Sequence, residues 1–189
     1  IRRALAAGVP PERIVFSGVG KTETEVAFAL QTGVAEINVE SEPELKMVAQ
    51  VAELLGTRAA VAIRVNPDVE AGGHAKISTG KAENKFGVSL PEAGRLYANA
   101  ANMAGVRPVG VACHIGSQIT DLAPLEAAFV KMRALVERIR AEGLPLERLD
   151  LGGGLGVPYF NQPTPPSPAD YAAMIARATQ GLDVQFAFE

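Results

Sequence analysis

Six short strand-like runs, each followed by a longer amphipathic stretch, are the feature that most limits what this chain can become. The runs are Ile14-Val15-Phe16, Glu36 to Glu40, Ala59 to Val65, Val109 to Cys113, Leu149 to Leu151 and Val184 to Phe188. They are short, largely apolar or β-branched, and bounded by Gly, Pro or polar residues, as buried strands are. Between them the spacing predicts helices with explicit starts and stops. Thr22 and Glu25, then Ser41 and Glu44, have capping-box spacing, and Gly33 and Gly56 supply stops. Leu45, Val48, Ala52 and Leu55 fall on one helical face. Ser89 and Glu92 start a helix with Ala93, Leu96, Tyr97 and Ala100 on its apolar face, ending at Gly105. Leu125, Phe129, Met132, Val136 and Ile139 mark a long helix ended by Gly143, and Ser167-Pro168 opens the last, stopped by Gly181. A partial helix, Ile1 to Ala7, precedes them and is closed by Gly8.

Strand and helix alternating in this way imply a parallel sheet covered by helices. An open doubly wound sheet and a TIM-type (β/α)8 barrel both fit. The barrel is favoured because polar groups end nearly every strand, as a site at the C-terminal face requires. Six βα units out of eight make a partial barrel, with the two missing units expected on the N-terminal side. The chain begins inside a helix without Met and stops at Glu189 directly after a strand, which reads as a piece of a longer protein.

Hydrophobic residues make up 48% and charged residues 21% of the 189, a globular balance. The net charge of -3 gives no footprint for nucleic acid or an anionic membrane. No apolar run has the length of a membrane span, and no signal peptide is visible. The single Cys113 excludes an internal disulfide and suits a reducing compartment, so a cytoplasmic location is expected.

The chemistry is concentrated at strand ends. Gly152-Gly153-Gly154 lets backbone N–H groups approach an anion, or is simply a tight turn without a ligand. His114 could stack on an aromatic cofactor or move a proton, or be a hydrogen-bonded core histidine. Ser117 could donate to a phosphate or make a local turn bond. Glu189 could pair with a protonated ring nitrogen or be solvated, and Arg64 could contact a cofactor or pair with a carboxylate. Residues 68–88 form a long segment without period, which inside a compact domain is functional or mobile. Gly18-Val19-Gly20-Lys21 lacks the spacing of a nucleotide loop, and Lys21 is expected to be a solvent-exposed residue at a helix start. His74 and His114 are the only histidines, with no partners at zinc spacing, so no metal is expected.

Several strings are also familiar together: Cys113-His114-Ile115-Gly116-Ser117-Gln118, Leu149-Asp150-Leu151-Gly152-Gly153-Gly154, and His74-Ala75-Lys76-Ile77-Ser78-Thr79-Gly80 with Lys85-Phe86-Gly87. With Ser17 to Lys21 and Ile37 to Ser41, the sequence resembles the diaminopimelate decarboxylases over essentially its whole length. These belong to the alanine-racemase-like, fold-type III group of pyridoxal 5'-phosphate (PLP) enzymes. The resemblance implies that residues 1–189 are a partial PLP-binding barrel whose N-terminal strands and C-terminal β-domain lie outside the chain, and that the complete protein is a homodimer. It implies that His114 stacks on the pyridine ring and that Ser117 and Gly152 to Gly154 serve the phosphate, Gly154 most directly. Glu189 would pair with the pyridine nitrogen, and Arg64 would lie beside the cofactor. His74, Ser78, Thr79, Gly80, Lys85, Phe86 and Gly87 would border the substrate entrance.

The implied reaction is decarboxylation of meso-2,6-diaminopimelate to L-lysine, with the pyridine ring as electron sink. No catalytic residue is expected within the chain, because the group's Schiff-base lysine context and its Cys-Glu-Ser-type motif are both missing from it. The chain alone is therefore expected to be inactive. Rival readings are a related decarboxylase of ornithine, arginine or carboxynorspermidine, a non-catalytic PLP-binding barrel, and a barrel that binds a sugar phosphate without PLP. The PLP readings require His114, Gly154 and Glu189 to converge on one face.

Overall fold

A computed structural model describes residues 1–70, 86–159 and 164–189. The elements are α1 (Arg2–Ala6), a 3-10 turn (Pro11–Arg13), β1 (Val15–Phe16), α2 (Glu23–Thr32), β2 (Glu36–Val39), α3 (Glu42–Leu54), β3 (Ala59–Asn66), β4 (Val88–Ser89), α4 (Leu90–Ala101), β5 (Val106–Cys113), α5 (Leu122–Ala141), β6 (Arg148–Asp150), α6 (Pro168–Ala178) and β7 (Gln185–Ala187). The strands run in the order β1-β2-β3-β5-β6-β7, all parallel, with β4 a two-residue addition beside the end of β3. This is a partial (β/α)8 barrel: six strands in sequence order with helices on the outside. All six expected strands are present. Among the described residues, no helix is long and apolar enough to cross a membrane.

Alternation along each strand separates two environments. Ile37, Val39, Val61, Ile63, Val65, Val111, Cys113, Leu149 and Leu151 join the helices in one hydrophobic core. The expected faces of α4 and α5 are buried as predicted: Ala93, Leu96, Tyr97 and Ala100 on one, Leu125, Phe129, Met132, Val136 and Ile139 on the other. Each large side chain so buried contributes on the order of 1.5–3 kcal/mol. On α3, Leu45, Val48 and Ala52 are buried, but Leu55 is the exposed C-cap residue. The helix ends one residue before the apolar stripe returns to the core.

The caps follow the sequence in part. Thr22 and Glu25 form a full capping box. Ser41 accepts from the Glu44 amide, but the Glu44 carboxylate does not return to Ser41; it accepts instead from the Glu40 amide at 2.8 Å and from Lys21. Ser167 and Asp170 form a second full box.

β5 starts at Val106, three residues earlier than expected, and runs through Pro108, which a strand tolerates only at an edge or an irregularity. Val61 pairs with Pro108 and Ala62 with Gly110, so Val109 is the extra residue of a bulge. Just past it, a Cβ on Gly110 would sit 2.5 Å from the Arg148 carbonyl oxygen of β6. Gly110→Ala is expected to destabilise the fold by roughly 1–3 kcal/mol through this overpacking, read as a lower urea midpoint in the full-length protein. An unchanged midpoint would mean that β5 and β6 can separate freely.

Candidate functional site

The site is built where β5, β6 and β7 end. His114 follows β5, Gly152 to Gly154 follow β6, and Glu189 follows β7, so parallel strands deliver all three to one end of the sheet. The Glu189 amide donates to the Gly152 carbonyl at 2.9 Å, extending the ladder past the named strands. His114 Nδ1 lies 3.2 Å from Glu189 Oε2. That hydrogen bond holds the Glu189 carboxyl below its usual range despite partial burial. The Gly153 amide also approaches Nδ1, at 3.4 Å. The two contacts are mutually exclusive, since a nitrogen that carries a proton for Glu189 cannot accept one from Gly153.

The three glycines are required by contact. A Cβ on Gly152 would collide with the Cys113 carbonyl oxygen, one on Gly154 with that of Gly116, and one on Gly153 would sit 2.6 Å from that of Glu189. Gly152 and Gly154 also have φ of +65° and +106°, a region costly for other residues. The turn is thus packed backbone against backbone. Gly152 donates to Asp150 Oδ1 at 2.8 Å, while among the described residues the partly exposed Gly154 amide meets no acceptor.

Ser117 is exposed, lacks a hydrogen bond among the described residues, and sits between Gly116 (φ +153°) and Gln118 (φ +57°). Its loop is clamped to the chain beyond the glycines. Gln118 Oε1 accepts from the Val157 amide at 3.0 Å, and Ile119 donates to the Gly154 carbonyl at 2.8 Å.

Arg64 does not reach this cluster by hydrogen bonding. It pairs with Glu40 at 2.8 Å, both side chains nearly buried, and its guanidinium lies 5.7 Å from the Phe86 ring centre. Phe86 is exposed, and Gly87 packs under the Arg64 backbone. His74, Ser78, Thr79, Gly80 and Lys85 lie outside the described residues.

Lys21 overturns its expectation. Its side chain is only 2% exposed, and Nζ donates to Glu44 at 2.8 Å, to the Asn38 carbonyl at 2.7 Å and to the Gly18 carbonyl. Three donors meet three acceptors, which is what lets a lysine be buried. The ammonium ties the end of β1 to β2 and to the start of α3.

Sequence reasoning passed over a polar inner face. Glu36 pairs with Arg148 at 3.3 Å, Asn38 Nδ2 donates to Asp150 Oδ2 at 3.2 Å, and Glu40 pairs with Arg64. The signal was there: Glu36-x-Asn38-x-Glu40 is a period-two polar series within a strand buried on both faces.

The residues fit a phosphate-bearing pyridine ring. Among the described residues the Gly154 amide and the Ser117 hydroxyl have no hydrogen-bond partner, they follow the same strand ends as the His114 imidazole and the Glu189 carboxylate, and a Cβ at any of the three glycines would meet backbone. A family model described as "Pyridoxal-dependent decarboxylase, pyridoxal binding domain" matches residues 1–185. The chain belongs to the pyridoxal-dependent decarboxylase family. Within that family it is 50% identical, over its full length, to a diaminopimelate decarboxylase of Zymomonas mobilis, covering 45% of that protein. It superposes with a TM-score of 0.94 and 44% identity on diaminopimelate decarboxylase from Helicobacter pylori complexed with L-lysine, covering all of this chain and 48% of that one. Lysine/ornithine decarboxylase from Vibrio vulnificus complexed with putrescine shares the fold at a TM-score of 0.78 and 25% identity, again over the whole chain and 47% of that one. The chain thus spans about half the length of the curated relatives it matches.

Two outcomes follow from the site's electrostatics. Burial pushes the Cys113 thiol up to about 12. Cys113 is therefore expected to resist alkylation at about pH 8 in the folded protein and to react on unfolding, read by peptide mass spectrometry; rapid native labelling would refute its burial. Burial also raises the Asp150 carboxyl, outweighing its hydrogen bonds to Gly152 and Asn38. A raised folded value favours the fold below the unfolded 3.8 and loses that contribution as pH climbs through the folded value. Asp150→Asn should accordingly gain on wild type in Tm as pH rises from about 4 to about 7; a constant gap would show an unperturbed carboxyl.

Proposed function

We propose that this chain is the PLP-binding barrel portion of a decarboxylase that, as a whole protein, converts meso-2,6-diaminopimelate to L-lysine and carbon dioxide. The observation that carries the reading is the meeting of His114, Glu189 and the open Gly154 amide at one end of the parallel strands. The choice of substrate is supported by the margin between 44% and 25% identity in the two structural relatives.

In this reading the Gly154 amide and Ser117 Oγ would hold the phosphate, the His114 ring would face the pyridine, and Glu189 would pair with its nitrogen. PLP, when bound, would supply an electron sink for decarboxylation. Glu189 serves as the anion in that pair, because its hydrogen bond from His114 lowers its carboxyl below the usual value and favours the ionised form. Its carboxylate would hold a proton at the ring nitrogen in place. The Glu40–Arg64 pair and the Phe86 ring over it would form one side of the site, and a substrate-entrance role for His74, Ser78, Thr79, Gly80, Lys85, Phe86 and Gly87 belongs to the same reading. Completion of the site across a homodimer belongs to the same reading.

The test uses the full-length protein purified with PLP. A visible absorption band of bound cofactor is expected, with carbon dioxide released from meso-diaminopimelate and not from L-ornithine or L-arginine. A band without turnover of any of the three would replace the enzyme with a cofactor-binding barrel. The absence of a band would remove PLP altogether. Glu189→Gln should lower kcat on the order of 10²-fold with a smaller change in KM, since it removes charge stabilisation at the ring; an equal kcat would exclude that pairing.

A further inference from the structure

The inner face of the sheet holds a carboxylate to which the functional reading assigns no part. Asp150 is 3% exposed and lies at the end of β6, directly below the glycine turn. Its Oδ1 accepts from the Gly152 amide at 2.8 Å, closing an Asx-type turn two residues long. Its Oδ2 accepts from Asn38 Nδ2 at 3.2 Å, a contact between residues 112 apart in sequence. Asn38 stands on β2, and two strands, β3 and β5, lie between it and β6. Three strand spacings are about 14 Å along a sheet, so only curvature and an emptied interior bring these side chains together. At the level of Asn38 the intervening residues are Ala62 on β3 and Gly110 on β5; at the level of Asp150 they are Ala112 on β5 and Arg64 on β3, whose guanidinium is held by Glu40, and the three small residues leave the room. The geometry is therefore specific: small residues clear a path so that one amide can brace one acid.

The brace acts on the first glycine alone. With the Gly152 amide taken by Asp150 and φ fixed at +65°, the chain turns so that Gly153 packs on the Glu189 carbonyl and the Gly154 amide remains open. Resting on the PLP reading above, we infer that Asp150, braced by Asn38, is a positioning residue for the phosphate subsite. It works by geometry and not by charge, since a carboxylate near a phosphate repels it. Asn38 Oδ1 is itself buried without a partner among the described residues. In Asp150→Asn, the Asn38 amide can turn over and accept from the new Nδ2, while the remaining oxygen still accepts from Gly152. That variant keeps the turn and discards the charge. Asp150→Ala discards both.

The experiment titrates the full-length apoprotein with PLP and, separately, with pyridoxal, which has the same ring and aldehyde but no phosphate. Binding is followed by absorbance. Asp150→Ala should weaken PLP about tenfold, the scale of one misdirected hydrogen bond to a charged group, and leave pyridoxal within about twofold. Asp150→Asn should bind PLP at least as tightly as wild type. Equal weakening of both ligands, or unchanged PLP binding in Asp150→Ala, would overturn the inference. So would a loss in Asp150→Asn as large as in Asp150→Ala. If Asp150→Ala does not fold, Asn38→Ala takes its place, with an expected loss of about threefold for PLP and none for pyridoxal; an unchanged ratio of the two overturns the inference. Tight PLP binding by wild type with no effect of either variant defeats the inference alone. A wild type that binds neither ligand defeats the PLP reading and the inference with it.

Discussion

The structure depends on backbone approaching backbone at Gly152, Gly153 and Gly154. Each glycine faces a different carbonyl: that of Cys113 at the end of β5, that of Glu189 after β7, and that of Gly116 in the loop after His114. A methyl group at any of them would force apart the two chain segments that meet there. Because the three contacts are made by consecutive residues, one turn fixes three ends at once. His114 and Glu189 reach 3.2 Å only because the chain segments bearing them are seated on the same turn. The close packing and the opportunity for anion binding have one origin. Where side chains are excluded, amides are left for an anion: among the described residues that of Gly154 meets no acceptor, and that of Gly153 loses its own when His114 Nδ1 donates to Glu189.

The inner face of the sheet is the second constraint. Barrel interiors are ordinarily filled by layers of branched apolar side chains. Here β2 and the residue after it present Glu36, Asn38 and Glu40 inward, matched by Arg148, Asp150 and Arg64. Buried ion pairs are weak contributors to stability, because desolvation offsets most of the attraction. Their value here is positional. Each pairs a strand with one particular level of another strand, so a register slip would leave an uncompensated charge in the interior. Asn38 Oδ1, Glu40 Oε2 and Arg64 Nε are buried without partners among the described residues. Polar capacity therefore runs in a line up the inner face toward the site, where the fold keeps a region suited to charge instead of packing it shut.

Lys21 shows how such polar connections extend outward. Its ammonium joins Glu44, whose other oxygen takes the Glu40 amide, and Glu40 in turn holds Arg64. A residue whose position at a helix start suggests solvent is thus the outermost member of a chain of contacts leading to the interior. The same chain explains the incomplete capping box at Ser41. Glu44 has the spacing to return to Ser41, but a buried lysine is the stronger partner.

The sequence by itself determined the order of strands and helices, the faces the helices bury and most of their ends. These are set by local period, by capping side chains and by glycine, all within a few residues of where they act. It also determined that His114, Gly154 and Glu189 stand at strand ends, because parallel strands in alternation with helices leave them there. Only the tertiary structure decided who pairs with whom. Glu40 found Arg64 at a distance of 24 residues, Lys21 found Glu44 at 23, and Asn38 found Asp150 at 112. Nothing local ties such pairs, and an isolated charge in a strand is equally compatible with solvent. Register and curvature choose the partner, because a buried polar group is stable only where another strand brings its complement within hydrogen-bond reach.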